Sequence, residues 1–316
     1  LSTDAATGYS AVAGWRIGLQ YDFIDQNQLR TGTRSVSAAD LASINDAGGE
    51  QEVEKQTINR YLTLGISYSP NPDWNVSTLI PYIDRSHTTY GAATTDQLTP
   101  DQISASTSTG LGDVKLIVNY QGFLPTHNLG LQLGVKLPTG NYGGQNVETG
   151  EFVGRNPVVF SSGPNAGSAL DTSLNVGTGS TDLIVGAYYY QAISQDFDAF
   201  VNAQFQAAVA HRLDQANADY RPGNQTSFNF GVRYEANPNW VPQVQVNTAH
   251  KSHDQGALAD IFGTGGTVVY VSPGITAVVA RNMSAYAFLQ VPAYSKLEGF
   301  QLFPKWTGSV GLSYAF

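Results

Sequence analysis

The chain has 316 residues, no cysteine, 13% charged residues and a formal net charge of −9. Without cysteine there is neither a disulfide framework nor a thiolate metal site. The acidic balance argues against nucleic acid as a partner, because phosphate binding needs clustered Lys and Arg. No stretch reaches the roughly 18 uninterrupted apolar residues of a transmembrane helix, and the mean hydropathy is −0.18.

In chain order, residues 1–11 read as a periplasmic N-terminal segment of one 1–316 domain, beginning a mature or trimmed chain. The first strand follows at once. Trp15, Ile17, Leu19, Tyr21 and Phe23 fall on one face, and Arg16, Gly18, Gln20 and Asp22 on the other. Such alternation over about ten residues is what a tilted strand between lipid and water requires. After an acidic connection over 27–55 comes a strand with Arg60 on its lipid face, at the outer rim. The next strand, at 74–84, carries Leu79, Pro81 and Ile83 on its inner face. Val114, Leu116, Val118 and Tyr120 alternate with Asp113, Lys115, Ile117 and Asn119, and Leu129 to Leu137 alternate with Gly130, Gln132, Gly134 and Lys136. The rhythm returns in Tyr188 and Tyr190, in Asn202, Gln204 and Gln206 opposite Val201, Ala203 and Phe205, and in Arg233 opposite Val232 and Tyr234.

Short connections near 69–74, 122–128, 192–197, 236–240 and 280–283 alternate with long ones over 27–55, 88–110, 139–180, 211–224, 250–265 and 295–304. Twelve antiparallel strands follow. The expected fold is therefore all-β, a transmembrane outer-membrane β-barrel with short periplasmic turns and long extracellular loops, located in the bacterial outer membrane. A soluble sandwich would also alternate, but it would scatter the aromatics that here sit at strand ends, such as Trp15, Tyr68, Trp74, Tyr234 and Trp240. The surroundings expected of such a barrel are outer-membrane lipids and lipopolysaccharide.

The chain ends Val310-Gly311-Leu312-Ser313-Tyr314-Ala315-Phe316, which resembles the signal, here Tyr314 and Phe316, by which barrel-assembly machinery recognises its clients. Gly110-Leu111-Gly112-Asp113, Lys136-Leu137-Pro138-Thr139-Gly140, Gly179-Ser180-Thr181-Asp182 and Gln290-Val291-Pro292 resemble the outer-membrane barrel family labelled for the meta-pathway (MetA-pathway) of phenol degradation. The similarity spans about 110–316. It implies a channel-like protein associated with export or uptake of hydrophobic or aromatic compounds, and it implies no catalytic residues.

Few constellations suggest other chemistry. The histidines at 87, 127, 211, 250 and 253 fall in loops, turns or strand ends, and His250, His253 and Asp254 are a weak loop-metal candidate. The enzymatic rival is a phospholipid-hydrolysing barrel, for which His211, His250 and Ser252 can be nominated. Asp40, Asp46, Glu50, Glu52 and Glu54 form an acidic loop able to recruit divalent cations or bridge them to lipopolysaccharide. No catalytic, cofactor or tight metal site is expected.

A twelve-stranded barrel encloses a modest interior. The pore-lining candidates are Lys115, Lys136, Arg16, Asp22, Arg233, Tyr188, Tyr190 and Gln204. Lys115 and Lys136 fall opposite each other across the turn near 125, and nearby carboxylates such as Asp113 and Asp182 either neutralise them or leave them free to attract anions. The expected function is passage of small solutes, aromatic or anionic. A hydrolase or a closed structural or adhesive barrel are the alternatives.

Overall fold

The computed structural model describes residues 3–316. A short helix, α1 (Thr3–Thr7), precedes β1 (Gly14–Gly32), β2 (Arg34–Val36), α2 (Ala38–Asp46), β3 (Glu54–Asn71), β4 (Trp74–Thr89), β5 (Ser104–Leu111), β6 (Lys115–Tyr120) and β7 (Leu129–Lys136). Then come β8 (Tyr142–Gln145), β9 (Phe152–Arg155), β10 (Ser180–Ala192), β11 (Phe197–His211), β12 (Gln225–Tyr234), β13 (Trp240–Lys251), β14 (Gly266–Ala280) and β15 (Met283–Ala315). Every pairing is antiparallel. The ring runs β1, β3, β4, β6, β7, β10, β11, β12, β13, β14, β15 and back to β1, so eleven elements close it, with β2 and β5 attached outside the ring order. Closure reaches the last residue, since Trp15 and Phe316 exchange backbone hydrogen bonds of 3.1 and 3.0 Å.

The barrel is inside-out relative to a soluble domain. Ile17, Leu19, Val118, Leu133, Phe230, Val246 and Leu312 are exposed on its outer face, while Gln20, Asn59, Gln206, Gln243, Gln245 and Ser272 are buried within. A continuous apolar exterior has no stable place in water and fits hydrocarbon, where a closed ladder leaves no backbone group unpaired. At the end carrying the short turns, the apolar band finishes in aromatic pairs on neighbouring strands, Trp15–Tyr68 at 4.7 Å, Trp74–Tyr120 at 4.8 Å and Phe197–Tyr234 at 5.0 Å. Arg60 lies outside, 3.9 Å from Asp84 and over the Phe23 ring.

Inward aromatics need room, and glycine supplies it. Tyr188 faces Gly130 and Phe200 faces Gly231 in register, and a β-carbon on either glycine would lie 2.1 or 2.2 Å from the facing ring. The rings thus lie flat over the neighbouring strand.

Several expected connections prove to be ordered. Residues 27–55 are not one loop: β1 continues to Gly32, and α2 is nucleated by a capping box in which Asp40 N donates to Ser37 Oγ and Ser37 N donates to Asp40. The strand expected from about 110 starts at Ser104, because β5 pairs with the upper half of β4 and β6 with its lower half. The connection expected over 295–304 falls within the extended element β15, with Gly299 at a positive φ of 61°. Met283–Ala315 is one extended element that serves β14 up to Leu297 and β1 from Leu297 onward, and its two ends lie side by side, with Ala315 N donating to Asn282 O at 2.9 Å; the ring of eleven elements counts it once. Its upper part is held by a small apolar core of Leu29, Leu41, Val53, Ala93 and Leu302, which offsets the cost of extending strands beyond the apolar band.

Candidate functional site

Three polar regions of the lumen carry most of the predicted lining residues. The first gathers the motifs of the middle of the chain. Lys136, 5% exposed, donates to Asp113 at 2.8 Å, to Thr178 Oγ1 and to Ser180, with Asp182 at 3.7 Å. Asp113 also accepts from Gly140 N and Thr178 N, both at 3.0 Å, and Asp182 accepts from Ser180 and Gln206. Thr139 bridges the break between β5 and β6, accepting from Val114 N at 2.9 Å and donating to Gly112 O at 2.8 Å. The three motifs around Asp113, Lys136 and Asp182 are therefore one structural knot, in which a buried cation answers two buried carboxylates.

Lys115 is the register partner of Lys136, as the symmetry about the turn predicts, but its surroundings differ. Among the described residues it has no carboxylate within salt-bridge distance. It lines a cavity of about 360 Å³ with Gln204, Gln206, Gln225, Lys251 and Gln301. Lys251 is paired with Asp254 at 2.9 Å, and Gln204 donates to Gln132 at 3.3 Å. An ammonium that makes no ion pair, set among amides, is a surface that can take an anion and hydrogen-bond its polar groups.

The third region lies at the turn end and is built by the N-terminal segment. Sequence reading leaves residues 1–11 beyond the barrel, whereas the described part of this segment folds back into the lumen. Ala5 O accepts from Gln243 at 2.8 Å and Ala6 O from Arg233 at 3.0 Å and from Thr276. Gly8 takes a positive φ of 96°, and a β-carbon there would meet the Arg233 guanidinium at 3.0 Å, so helix end and close approach both ask for glycine. Tyr9 stacks on Tyr188 at 4.9 Å and on Tyr190 at 5.4 Å, and accepts from Asn202 at 2.7 Å. Arg16 stands 3.8 Å from Asp4 and donates to Ser10. Arg233 is further engaged by Glu235 at 3.1 Å.

The predicted lining residues thus separate. Arg16, Arg233, Tyr188 and Tyr190 hold the N-terminal segment, Lys136 belongs to the knot, and Lys115 and Gln204 face the cavity. Asp22 accepts from Gln20 and Ser309 on the inner wall. The residues nominated for hydrolysis are bonded elsewhere: His250 Nδ1 meets Thr267 Oγ1 at 2.8 Å, and Ser252 Oγ accepts from Asn224 N at 2.8 Å. The 139–180 connection reaches the inner wall, where Arg85 donates to the carbonyls of Leu174 and Asn175 at 2.8 and 2.9 Å. Nothing local marks residues 3–10 as luminal. The one usable signal was the set of inward glycines beside inward aromatics, which makes platforms on which Tyr9 can stack.

No protein-family model matches the chain, and no curated protein matches it in sequence. Among solved structures, the chain is similar to the COG4313 outer membrane channel from Pseudomonas putida F1, with 12% identity, a TM-score of 0.67, and coverage of 100% of this chain and 99% of that one. It also matches the translocator domain of the autotransporter NalP from Neisseria meningitidis, with 8% identity, a TM-score of 0.52, and coverage of 96% and 89%. At these identities the likeness is one of fold: a closed outer-membrane-type barrel over the whole chain.

Proposed function

We propose that this protein is an outer-membrane channel for passive or facilitated passage of small solutes, anionic or aromatic, narrowed at its periplasmic end by its own N-terminal segment. The carrying observation is the contrast across the wall, an apolar exterior around a polar lumen whose cavity presents an unpaired Lys115. A lone inward lysine in a narrow, low-dielectric-walled passage raises the local concentration of anions. The Tyr9, Tyr188 and Tyr190 stack supplies apolar faces on which an aromatic solute can slide. The likeness in fold to the Pseudomonas putida outer membrane channel agrees with this reading, as does the motif resemblance to the MetA-pathway barrels.

We count the strands as twelve. Met283–Ala315 is read as two, folded at Gly299 with φ 61°; Ala315 N bonding Asn282 O at 2.9 Å supports a return of the chain beside its own start. An even count puts both ends of the chain in the periplasm and the long loops outside, against lipopolysaccharide. Single cysteines at Gly49 and Asn128 test that orientation: an impermeant reagent on intact cells should label the first and spare the second, and the reverse pattern would invert the model. Phe316, which makes the last rung of the closing ladder, is proposed as the assembly signal together with Tyr314; Phe316→Ala should lower the amount inserted in cells.

Planar-bilayer recording of the purified barrel tests the channel itself. Discrete conductance steps that grow in Tyr9→Ala are expected, because that change removes two stacking contacts worth about 0.5–1.5 kcal/mol each. A barrel silent in both forms would leave the closed structural reading.

A further inference from the structure

The connection from α2 into β3 carries a constellation that the channel reading does not use. Val53 is fully buried in the apolar core at the loop end and is clamped by Val53 N donating to Gly91 O at 2.7 Å and Tyr90 N donating to Val53 O at 2.9 Å. In extended chain, residues two apart point the same way, so anchoring Val53 turns Glu52 and Glu54 together to the opposite side. A register shift follows between Glu54 and Gln56, with Glu54 opposite Thr89 and Gln56 opposite Thr88. This bulge at Lys55 puts Glu54 on the same face as Thr57 and its partner His87.

His87 is 2% exposed. Its Nδ1 meets Thr57 Oγ1 at 2.8 Å, and its Nε2 lies 3.9 Å from Glu52. Glu52, Glu54 and His87 each offer one ligand atom, all within 4.8 Å of one another. Ser106, the register partner of His87 on β5, is buried with a hydroxyl that finds no hydrogen-bond partner. The charges acting on Glu54 are all acidic, from Glu52, Asp171 and Asp260. A buried imidazole, two converging carboxylates and an orphan hydroxyl on the imidazole's register partner, with no cationic side chain acting on Glu54 among the described residues, together describe a ligand set.

We propose that Glu52, Glu54 and His87 bind one divalent transition-metal ion of the zinc class, with the Ser106 hydroxyl or a water completing the shell. Imidazole with carboxylates suits zinc, whereas calcium asks for six to eight oxygens and magnesium for a near-ideal octahedron of them. Donor atoms around tetrahedral zinc stand roughly 3.3 Å apart, which the flexible glutamates reach by closing inward. In the tautomer that carries its proton on Nδ1, His87 donates to the Thr57 hydroxyl and leaves Nε2 for the metal, the usual orienting arrangement for a ligating histidine. The ion would tie the segment after α2 to the barrel wall, whether or not the lumen conducts.

Calorimetric titration of the chelator-washed, full-length barrel with zinc, and visible absorption of its cobalt-loaded form, test this. One ion per chain is expected, with millimolar calcium and magnesium unable to displace it. His87→Gln and Glu54→Gln should each abolish the stoichiometric site, and Thr57→Val should weaken it about 10–100-fold. Because His87 is buried, Glu52→Gln at the more exposed ligand is the control for folding and should also weaken binding, while His250→Ala with His253→Ala should leave it unchanged. Absence of stoichiometric binding, displacement by calcium, or binding retained in both Glu52→Gln and His87→Gln would overturn the assignment.

Discussion

Lys115 and Lys136 are register partners on adjacent strands of the same hairpin, yet the regions around them are opposites. Around Lys136 every donor meets an acceptor: two carboxylates, two hydroxyls and a carbonyl close over the ammonium. Lys115 borders open space with amides, hydroxyls and Lys251, and makes no ion pair among the described residues. The lesson is that an inward charge in a barrel is structural or available according to who answers it, and facing the lumen does not distinguish the two. A knot of paired charges fixes the wall and a single unanswered charge is left for a solute.

The strongest way to break this contrast is Lys136→Met, which leaves Asp113 and Asp182 buried without a counter-charge. A loss of about 3–5 kcal/mol is expected, read as a lowered urea midpoint of the refolded barrel. Adding Asp113→Asn and Asp182→Asn should restore much of it, and an unaltered midpoint in Lys136→Met would show that the knot is not a stabilising unit. Next in size is Gly130→Val, whose side chain would collide with the Tyr188 ring. Overpacking should cost about 1–3 kcal/mol and free Tyr9 from its platform, so conductance should rise as stability falls; a wild-type conductance would separate the platform from the constriction.

Lys115→Glu should scarcely alter the urea midpoint, since no ion pair is lost, but should move the reversal potential in a salt gradient towards cations. The shift should be largest at low ionic strength, where the Debye length is about 30 Å at 0.01 M. If Lys115→Glu destabilises as much as Lys136→Met, the two regions are not different in kind.

The smallest effect concerns the acidic surroundings of the loop end. Asp171, in the long connection before β10, is pushed up from 3.8 to about 6 by burial, with hydrogen bonds from Ser173 opposing and the Glu52 and Asp260 carboxylates adding. A raised carboxyl pKa means that the folded loop holds the proton more tightly than the unfolded one. Its stabilisation is full below pH 3.8 and is lost as pH rises through 6. In metal-free protein, amide protection of residues around 171 should fall across that window, and Asp171→Asn should flatten the fall. Equal pH dependence in the variant would assign the titration to another group.

Much of this molecule is legible one segment at a time. Alternation placed Leu19, Val118 and Leu133 outside and Gln132 and Gln204 inside, the tight turns at 71–74 and 236–240 fell where proline and asparagine cluster, and simple counting about residue 125 paired Lys115 with Lys136. These are local consequences of a period of two and of ladder symmetry, and any chain with this pattern must obey them. Tertiary structure alone decided the partners of the polar groups. The return of Ala5 to Tyr9 into the lumen depends on Arg233, Gln243 and Tyr188, residues more than a hundred positions away, and nothing in residues 3–10 announces them. Likewise the bulge that brings Glu54 beside His87, and the apolar core that gathers Leu29, Leu41, Val53, Ala93 and Leu302, depend on contacts among distant segments. Periodicity is written in neighbouring residues, whereas a buried hydrogen bond or ion pair is chosen by whichever group the closed barrel brings within about 3 Å.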